Sequence, residues 1–370
     1  MFFKAYKKYF MLLKKGLGLL FHEKHAKIGI NTAWLFVEKF FIILSALVIT
    51  FLLPNYLSVA EFGLWNFAYA IYIVLISINL MGMPGIIFND LAENPKSANE
   101  LIGTSFFIIL VASIVIIITI TCLYFALNKS NNELLLILIM SLSLIFKPLH
   151  NFEQYFYALS KAKYPAISKI MGQLLVIIFV WTLIRLEKNY LLFAFIPLIE
   201  SSLYGIGLTL FFYKKIKLSS LNFRVDLLKK LFKRSFPLFI QSLLIVLYLR
   251  IDQFFVMEIL GEEQNGFYAL SARLTEMFNF LPIVLCISFF PSIIQRRLKS
   301  ISEYYKSLKL FYGFIICIGF IFGFVLFVFG DLILSVFFND TYAQSLNSLK
   351  ILAFSGIFVG LGLITTRWLI

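Results

Sequence analysis

The chain has 370 residues, 61% of them hydrophobic, and a formal net charge of +14. A soluble domain is usually about 45–50% apolar, so a soluble globular protein is excluded, and the continuous apolar runs exclude an alternating transmembrane β-barrel. Excess positive charge in a soluble chain would point to nucleic acid; in an apolar chain it marks the loops retained on the cytoplasmic side, and no nucleic-acid partner is expected.

The first segment, residues 1–31, is basic. "FFKAYKKYFMLLKKGLGLLF" (2–21) places Phe3, Tyr6, Phe10, Leu13, Leu17 and Leu20 on one helical face and most of its lysines on the other. That pattern predicts an amphipathic helix on an anionic inner leaflet. The stretch is too long for the n-region of a cleaved signal.

Ten apolar runs follow, each near the roughly 20 residues a spanning helix needs: 32–53, 64–88, 102–126, 134–157, 164–185, 190–213, 236–259, 267–292, 309–337 and 343–368. With the N-terminus inside, basic residues concentrate on the even-numbered connections. The connection after the sixth run, "KKIKLSSLNFRVDLLKKLFKR", and the one after the eighth, "RRLKSISEYYKSLK", are rich in Lys and Arg. The opposite side carries only Lys129, Arg185 and Lys188. This asymmetry predicts a cytoplasmic N-terminus.

Residues 214–235 read as a cytoplasmic amphipathic linker between two lobes, 32–213 with six spans and 236–370 with four. A weak internal repeat supports two lobes: "YLSVAEFGLWNFAYAI" (56–71) and "ILGEEQNGFYALSARL" (259–274) align Gly63 with Gly266. Both copies run in the same sense, as in a parallel repeat about an axis along the membrane normal. The chain stops at "TTRWLI", directly after an apolar run, so two further helices are expected to have been removed by truncation. The fold class expected is therefore an all-α polytopic membrane protein, two parallel-repeat lobes on a 6 + 6 plan, with about ten transmembrane helices present.

Charges inside the runs are the informative residues. Each costs about 2.5–3.5 kcal/mol at the centre of a span, so such residues face a bundle interior or a wet cavity. Lys39, Lys147, Arg250 and Arg273 are read as cations lining a cleft between the lobes, at staggered depths. Asp252 and Glu276 are read as supporting carboxylates, with a coupling role. Arg250 and Asp252 lie two residues apart, about 200° around a helix, so they cannot pair with each other; Asp252 is expected to pair with Arg273. Glu38, Glu153, Glu200 and Lys350 each read equally well as a structural pair or snorkelling side chain and as a cavity residue. A cationic cleft suits an anionic ligand with a large polar head, such as a pyrophosphate-linked sugar.

No catalytic motif is present: there is no Walker A sequence and no HExxH, and His22, His25 and His150 are dispersed. Cys122, Cys286 and Cys317 have neither metal nor redox spacing and read as small core hydrophobes. No enzyme activity, metal or other cofactor is expected. Gly319 with Gly323 and Gly356 with Gly360 read as close-packing GxxxG pairs; Pro84 and Pro282 read as helix kinks.

Residues 31–71, "NTAWLFVEKFFIILSALVITFLLPNYLSVAEFGLWNFAYAI", and 249–293, "LRIDQFFVMEILGEEQNGFYALSARLTEMFNFLPIVLCISFFPSI", resemble the starts of the two lobes of polysaccharide exporters in the multidrug/oligosaccharidyl-lipid/polysaccharide (MOP) superfamily. The best resemblance is to O-antigen unit flippases of the Wzx type. It implies a V-shaped bundle that opens alternately to either side of the bacterial inner membrane. It also implies undecaprenyl-pyrophosphate-linked oligosaccharide as cargo, for O-antigen lipopolysaccharide or a similar surface polysaccharide. Expected partners are that lipid-linked substrate, membrane lipids, a polysaccharide polymerase with its chain-length machinery, and H+ or Na+ as coupling ion. Two alternatives stand: a drug/cation antiporter of the same superfamily, which calls for an acidic cavity, and a membrane enzyme of envelope glycan assembly, which calls for large outside loops or an intramembrane histidine.

Overall fold

The computed structural model describes residues 23–126, 132–214, 220–297, 300–338 and 340–368. The predicted amphipathic helix at 2–21 lies outside the described residues, as does the stretch 215–219 of the linker. The described residues form helices and no strand. In chain order the α-helices are α1 (Glu23–Tyr56), α2 (Val59–Leu80), α3 (Met83–Glu93), α4 (Ala98–Ala126), α5 (Asn132–Ser141), α6 (Lys147–His150), α7 (Phe152–Ala158), α8 (Lys163–Arg185), α9 (Ile196–Tyr213), α10 (Val225–Glu276), α11 (Phe280–Arg297), α12 (Ile301–Phe337), α13 (Ser345–Leu352) and α14 (Ser355–Trp368).

Seven helical segments are long and apolar enough to cross a membrane, and a pair bent by 47° near Ala353 adds an eighth. The other two of the ten predicted runs correspond to the arm of α10 before Gly261 and to the arm after it, continued by α11. The protein is an all-helical, multi-pass membrane protein.

Several runs are broken, and each break has a local cause. Span two turns at Met81 and Gly82, both left-handed (φ 47° and 67°). Pro84, expected to kink this run, instead sits in the first turn of α3, where its missing N–H costs nothing. Span four passes through a 3-10 turn, Leu142–Phe146, before α6. The carbonyls freed there are satisfied by side chains: Ser113 Oγ donates to Leu144 O (2.8 Å) and Ser201 Oγ to Ser143 O (3.1 Å). In lipid such a break persists only if neighbouring side chains supply those bonds. At the start of α2, Ser58 and Glu61 form a reciprocal capping box.

The cores give the shape. One continuous apolar core contains Leu53, Phe62 and Trp65 from the first lobe with Phe267, Leu334 and Tyr342 from the second. These residues lie at the end predicted to face outside. At the other end the cores separate: Met83, Phe152 and Phe212 belong to one, and Cys286, Phe311 and Ile364 to another. The lobes thus share a core at one end and are cored separately at the other, where the start of α10 still packs on the first lobe: a Cβ on Gly82 would sit 2.5 Å from Phe239 N, and Ser77 and Ser242 are 3.2 Å apart. Of the three cysteines only Cys286 is buried; Cys122 and Cys317 are exposed on the bundle surface. Lipid is as apolar as a core, so a small apolar residue has no preference for the interior.

The joint is a helix crossing. The packing of α2 against α10 is the most extensive helix–helix interface among the described residues. At its centre the two glycines of the internal repeat face each other. A Cβ on Gly63 would collide with the Glu262 carbonyl and sit 2.6 Å from Gly266 N; a Cβ on Gly266 would collide with the Val59 carbonyl. Asn265 Nδ2 donates to Gly63 O at 2.8 Å across the same crossing.

The second joint is within α10. Gly261 (φ 85°, ψ −177°) occupies a region open essentially to glycine alone, and it folds α10 into a hairpin. Two side-chain bridges close the hairpin. Arg250 donates to Glu276 through Nη1 (3.0 Å) and Nη2 (3.5 Å). The Tyr268 hydroxyl donates to Asp252, whose other oxygen accepts from Gln253 N at 2.8 Å. The expected Asp252–Arg273 pair is not formed, because Arg273 is directed across the lobe boundary, as described below.

Two outcomes check these joints. Gly63→Ala is expected to lower the thermal midpoint in detergent, by the equivalent of about 1–3 kcal/mol of overpacking, whereas Gly313→Ala, whose Cβ would meet nothing within 4 Å, is expected to be neutral. In a double-mutant cycle read by thermal stability, Asp252→Asn and Tyr268→Phe should couple by about 0.5–3 kcal/mol. Asp252→Asn with Arg273→Gln should be additive.

Candidate functional site

Where the two cores part, the structure leaves a cavity of about 530 Å³ between the lobes. Its first-lobe wall comes from α1, α2, α8 and α9, and its second-lobe wall from the α10 hairpin and α11. Of the four predicted pathway cations, Lys39, Arg250 and Arg273 line this cavity together, and so does Glu276. The Arg250–Glu276 pair is partly open to solvent, with side-chain exposures of 19% and 37%. Asp252 does not line the cavity; it is spent on the hairpin.

Arg273 is held by the opposite lobe. Its Nε donates to Asn66 Oδ1 at 2.7 Å. Its guanidinium lies over Trp65 (5.1 Å), Phe62 (5.7 Å) and Tyr69 (5.9 Å). Trp65 and Tyr69 are themselves stacked, 8° from parallel. A planar, weakly hydrated cation can be accommodated by aromatic faces in place of a carboxylate. That is why Arg273 has no need of Asp252. Among the described residues, its two terminal nitrogens have no hydrogen-bond partner, which leaves both as donors on the cavity wall.

Lys39 is 3.2 Å from Glu38 Oε1 and is 39% exposed. Glu38 is fully buried and is shared: Lys169 approaches the same oxygen at 3.7 Å, and the Tyr157 hydroxyl donates to Oε2 at 2.8 Å. This cluster ties α1 to α7 and α8, so the Glu38 charge is part of a structural pair.

Lys147 is elsewhere. It lines a second cavity of about 430 Å³, whose lining residues all belong to the first lobe. The break in span four carries it there, as the first residue of α6. His150 and Glu153 line the same cavity. His150 Nε2 donates to Ser201 O at 3.0 Å, and Glu153 accepts from the Tyr204 hydroxyl and from Gln154 (3.3 Å). Glu200 accepts from Gln173 at 2.8 Å and, with Tyr69, lines both cavities. Lys350 lines neither and sits over the Phe327 ring at 6.0 Å.

Some residues at the site were missed by sequence reasoning: Lys169, Gln173 and Gln253. Lys169 sits more than one turn inside a predicted span, and the two glutamines are polar residues within apolar runs, so the signal was the same one that marked Lys39. No group of three or more metal-ligating side chains occurs among the described residues.

Residues 28–295 match the family model for polysaccharide biosynthesis proteins. Comparison with curated proteins finds no match. Among solved structures, an inward-facing multidrug resistance MATE family transporter of the MOP superfamily is similar, with a TM-score of 0.68 at 15% identity, over 89% of this chain and 80% of that one. The MATE multidrug transporter DinF-BH gives 0.59 at 17% identity, over 92% and 81%. A MOP superfamily transporter from Pyrococcus furiosus gives 0.52 at 12% identity, over 91% and 82%. At these identities the likeness shows the fold alone, while the family model spans well over half of the sequence. The chain therefore belongs to the polysaccharide biosynthesis protein family, built on the fold of the MOP-superfamily transporters.

Proposed function

We propose that the protein is a flippase that moves undecaprenyl-pyrophosphate-linked oligosaccharide units, of O-antigen or a similar surface polysaccharide, from the inner to the outer leaflet of the bacterial cytoplasmic membrane. The observation that carries this reading is the wall of the inter-lobe cavity, where Lys39, Arg250 and Arg273 outnumber Glu200 and Glu276. Both carboxylates are already engaged, with Gln173 and Arg250. A cationic drug would find one acid outside an ion pair, Glu200, against three cations on that wall. A diphosphate would find the two terminal nitrogens of Arg273, and it can exchange with Glu276 for the fork of Arg250, whose second bond is stretched to 3.5 Å.

The division of the cores supports a mechanism of alternating access. One end is closed by the Gly63–Gly266 crossing and the other has two separate cores, so rocking about the lobe boundary would expose the cavity to either side. We place the N-terminus and the 214–235 linker in the cytoplasm, with lobes at 32–213 and 236–370. H+ or Na+ exchange is the proposed energy source, with Glu276 as the carboxylate released when cargo takes Arg250. Polymerase and chain-length machinery are the proposed partners at the outer leaflet. The reading is that of a transporter, not an enzyme.

In a flippase-null strain assayed for surface glycan, Arg250→Lys should lower complementation roughly tenfold, equivalent to about 1.4 kcal/mol, at unchanged membrane level. It keeps the charge but loses the bidentate fork. Arg273→Ala should do the same. Complementation by Arg250→Ala equal to wild type at equal membrane level would remove the cationic pathway. Orientation is checked in a background lacking the three cysteines. A cysteine at Lys188 should react with an impermeant reagent added outside, and one at Lys230 should not; both positions are exposed.

A further inference from the structure

We propose that the cavity inside the first lobe is a binding site in its own right, for a carboxylate-bearing molecule of monosaccharide size anchored by Lys147. This stands apart from the reading of the inter-lobe cavity. It begins from the state of Lys147. An ionisable side chain within a membrane span is normally paired or faces a polar ligand. The three carboxylates nearby are engaged elsewhere: Glu38 with Lys169, Lys39 and Tyr157, Glu153 with Tyr204 and Gln154, and Glu200 with Gln173. Among the described residues Lys147 has no ion pair and no hydrogen bond, and it lines a cavity of about 430 Å³. That volume is within the range of about 300–1,000 Å³ typical of small-molecule sites.

The rest of the wall matches a sugar acid. The Tyr72 oxygen accepts from Ser143 Oγ at 2.7 Å, so its own O–H remains available as a donor. His150 gives its Nε2 proton to the Ser201 carbonyl, which makes Nδ1 an acceptor. An unpaired ammonium, a hydroxyl donor and an imidazole acceptor thus line one cavity, together with Lys169, which is paired with Glu38, and the aromatic side chains of Tyr69 and Tyr204. Lysine presents a compact charge with no planar fork, which suits one carboxylate better than a diphosphate. Glu153 and Glu200, the carboxylates on this wall, are hydrogen-bonded to neutral donors and make no contact with Lys147, so the Lys147 ammonium is left for an incoming carboxylate while their charge sets a limit on how tightly it is held. The break of span four at 142–146 has a consequence here: a continuous helix would not begin a new one at Lys147.

The test is calorimetric titration of the purified full chain in lipid nanodiscs with glucuronate, with glucose and acetate as comparison probes. Glucuronate should bind; glucose, lacking the charge, and acetate, lacking the ring, should bind at least tenfold more weakly. Lys147→Arg should retain binding, Lys147→Met should abolish it, and Lys350→Ala, at a residue that lines neither cavity, should leave it unchanged. Should Lys147→Met fail to fold, wild-type protein is treated with formaldehyde and a hydride reductant. Glucuronate should then slow methylation of Lys147 several-fold while leaving Lys230 unaffected. Equal binding of acetate, equal binding by Lys147→Met, or no binding of glucuronate would overturn the proposal. None of these results touches the complementation expected of Arg250 and Arg273, so the two readings fail separately.

Discussion

The two lobes touch backbone to backbone where Gly63 meets Gly266, and the remaining architecture depends on that contact. Neither glycine can carry a side chain without striking the main chain opposite. Close approach lets Asn265 reach the Gly63 carbonyl and lets Arg273 reach over α2 to Asn66. It also closes the apolar core across both lobes at one end, with Tyr342 set edge-on between Phe62 and Phe267. Beyond this crossing the lobes have separate cores, although the start of α10 stays packed on the first lobe beside Gly82, and the space between the cores is the inter-lobe cavity. A wider crossing would cost the shared core and the reach of Arg273 together.

Charge placement follows a second constraint, that a bilayer supplies no partners. Most ionisable groups in the spans are therefore committed to a local arrangement, and the kinds of arrangement differ. Asp252 and Glu276 close the α10 hairpin. Glu38 is buried between two lysines and a tyrosine. Arg273 is held by one amide and three aromatic faces. What remains under-committed is informative: the terminal nitrogens of Arg273, the stretched second bond of Arg250, and Lys147. These are the groups with donor capacity to spare, and they are the ones placed on cavity walls. Two chemistries result, paired planar donors between the lobes and one unpaired ammonium within the first lobe.

Much of this was legible in the sequence. Continuous apolar runs specify membrane helices, because about twenty consecutive apolar residues have no other stable environment. The Gly63–Gly266 alignment was legible as a repeat, although nothing in a linear string said that the two copies would pack against each other. Arg250 and Asp252 stood out because their separation forbids a mutual pair. Their divergence holds, yet both reach the same neighbouring arm, since the hairpin at Gly261 wraps that arm alongside them. Pro84 misled because a proline marks a break without saying on which side of it the helix stops; the left-handed pair Met81 and Gly82 decided that.

Composition and hydrophobic period by themselves determined the all-helical membrane class, the approximate spans and the set of costly charges, because those depend only on the free energy of placing each residue in lipid. Which charge meets which partner was decided by the tertiary structure. Asp252 chose Tyr268 over Arg273, and Lys147 left the company of Lys39, because helix breaks at Gly261 and at residues 142–146 rotate side chains by amounts that no regular period predicts. A side chain's depth can be counted along the sequence at a fixed rise per residue; its azimuth cannot be counted past a break, and it is azimuth that assigns a charge to a cavity.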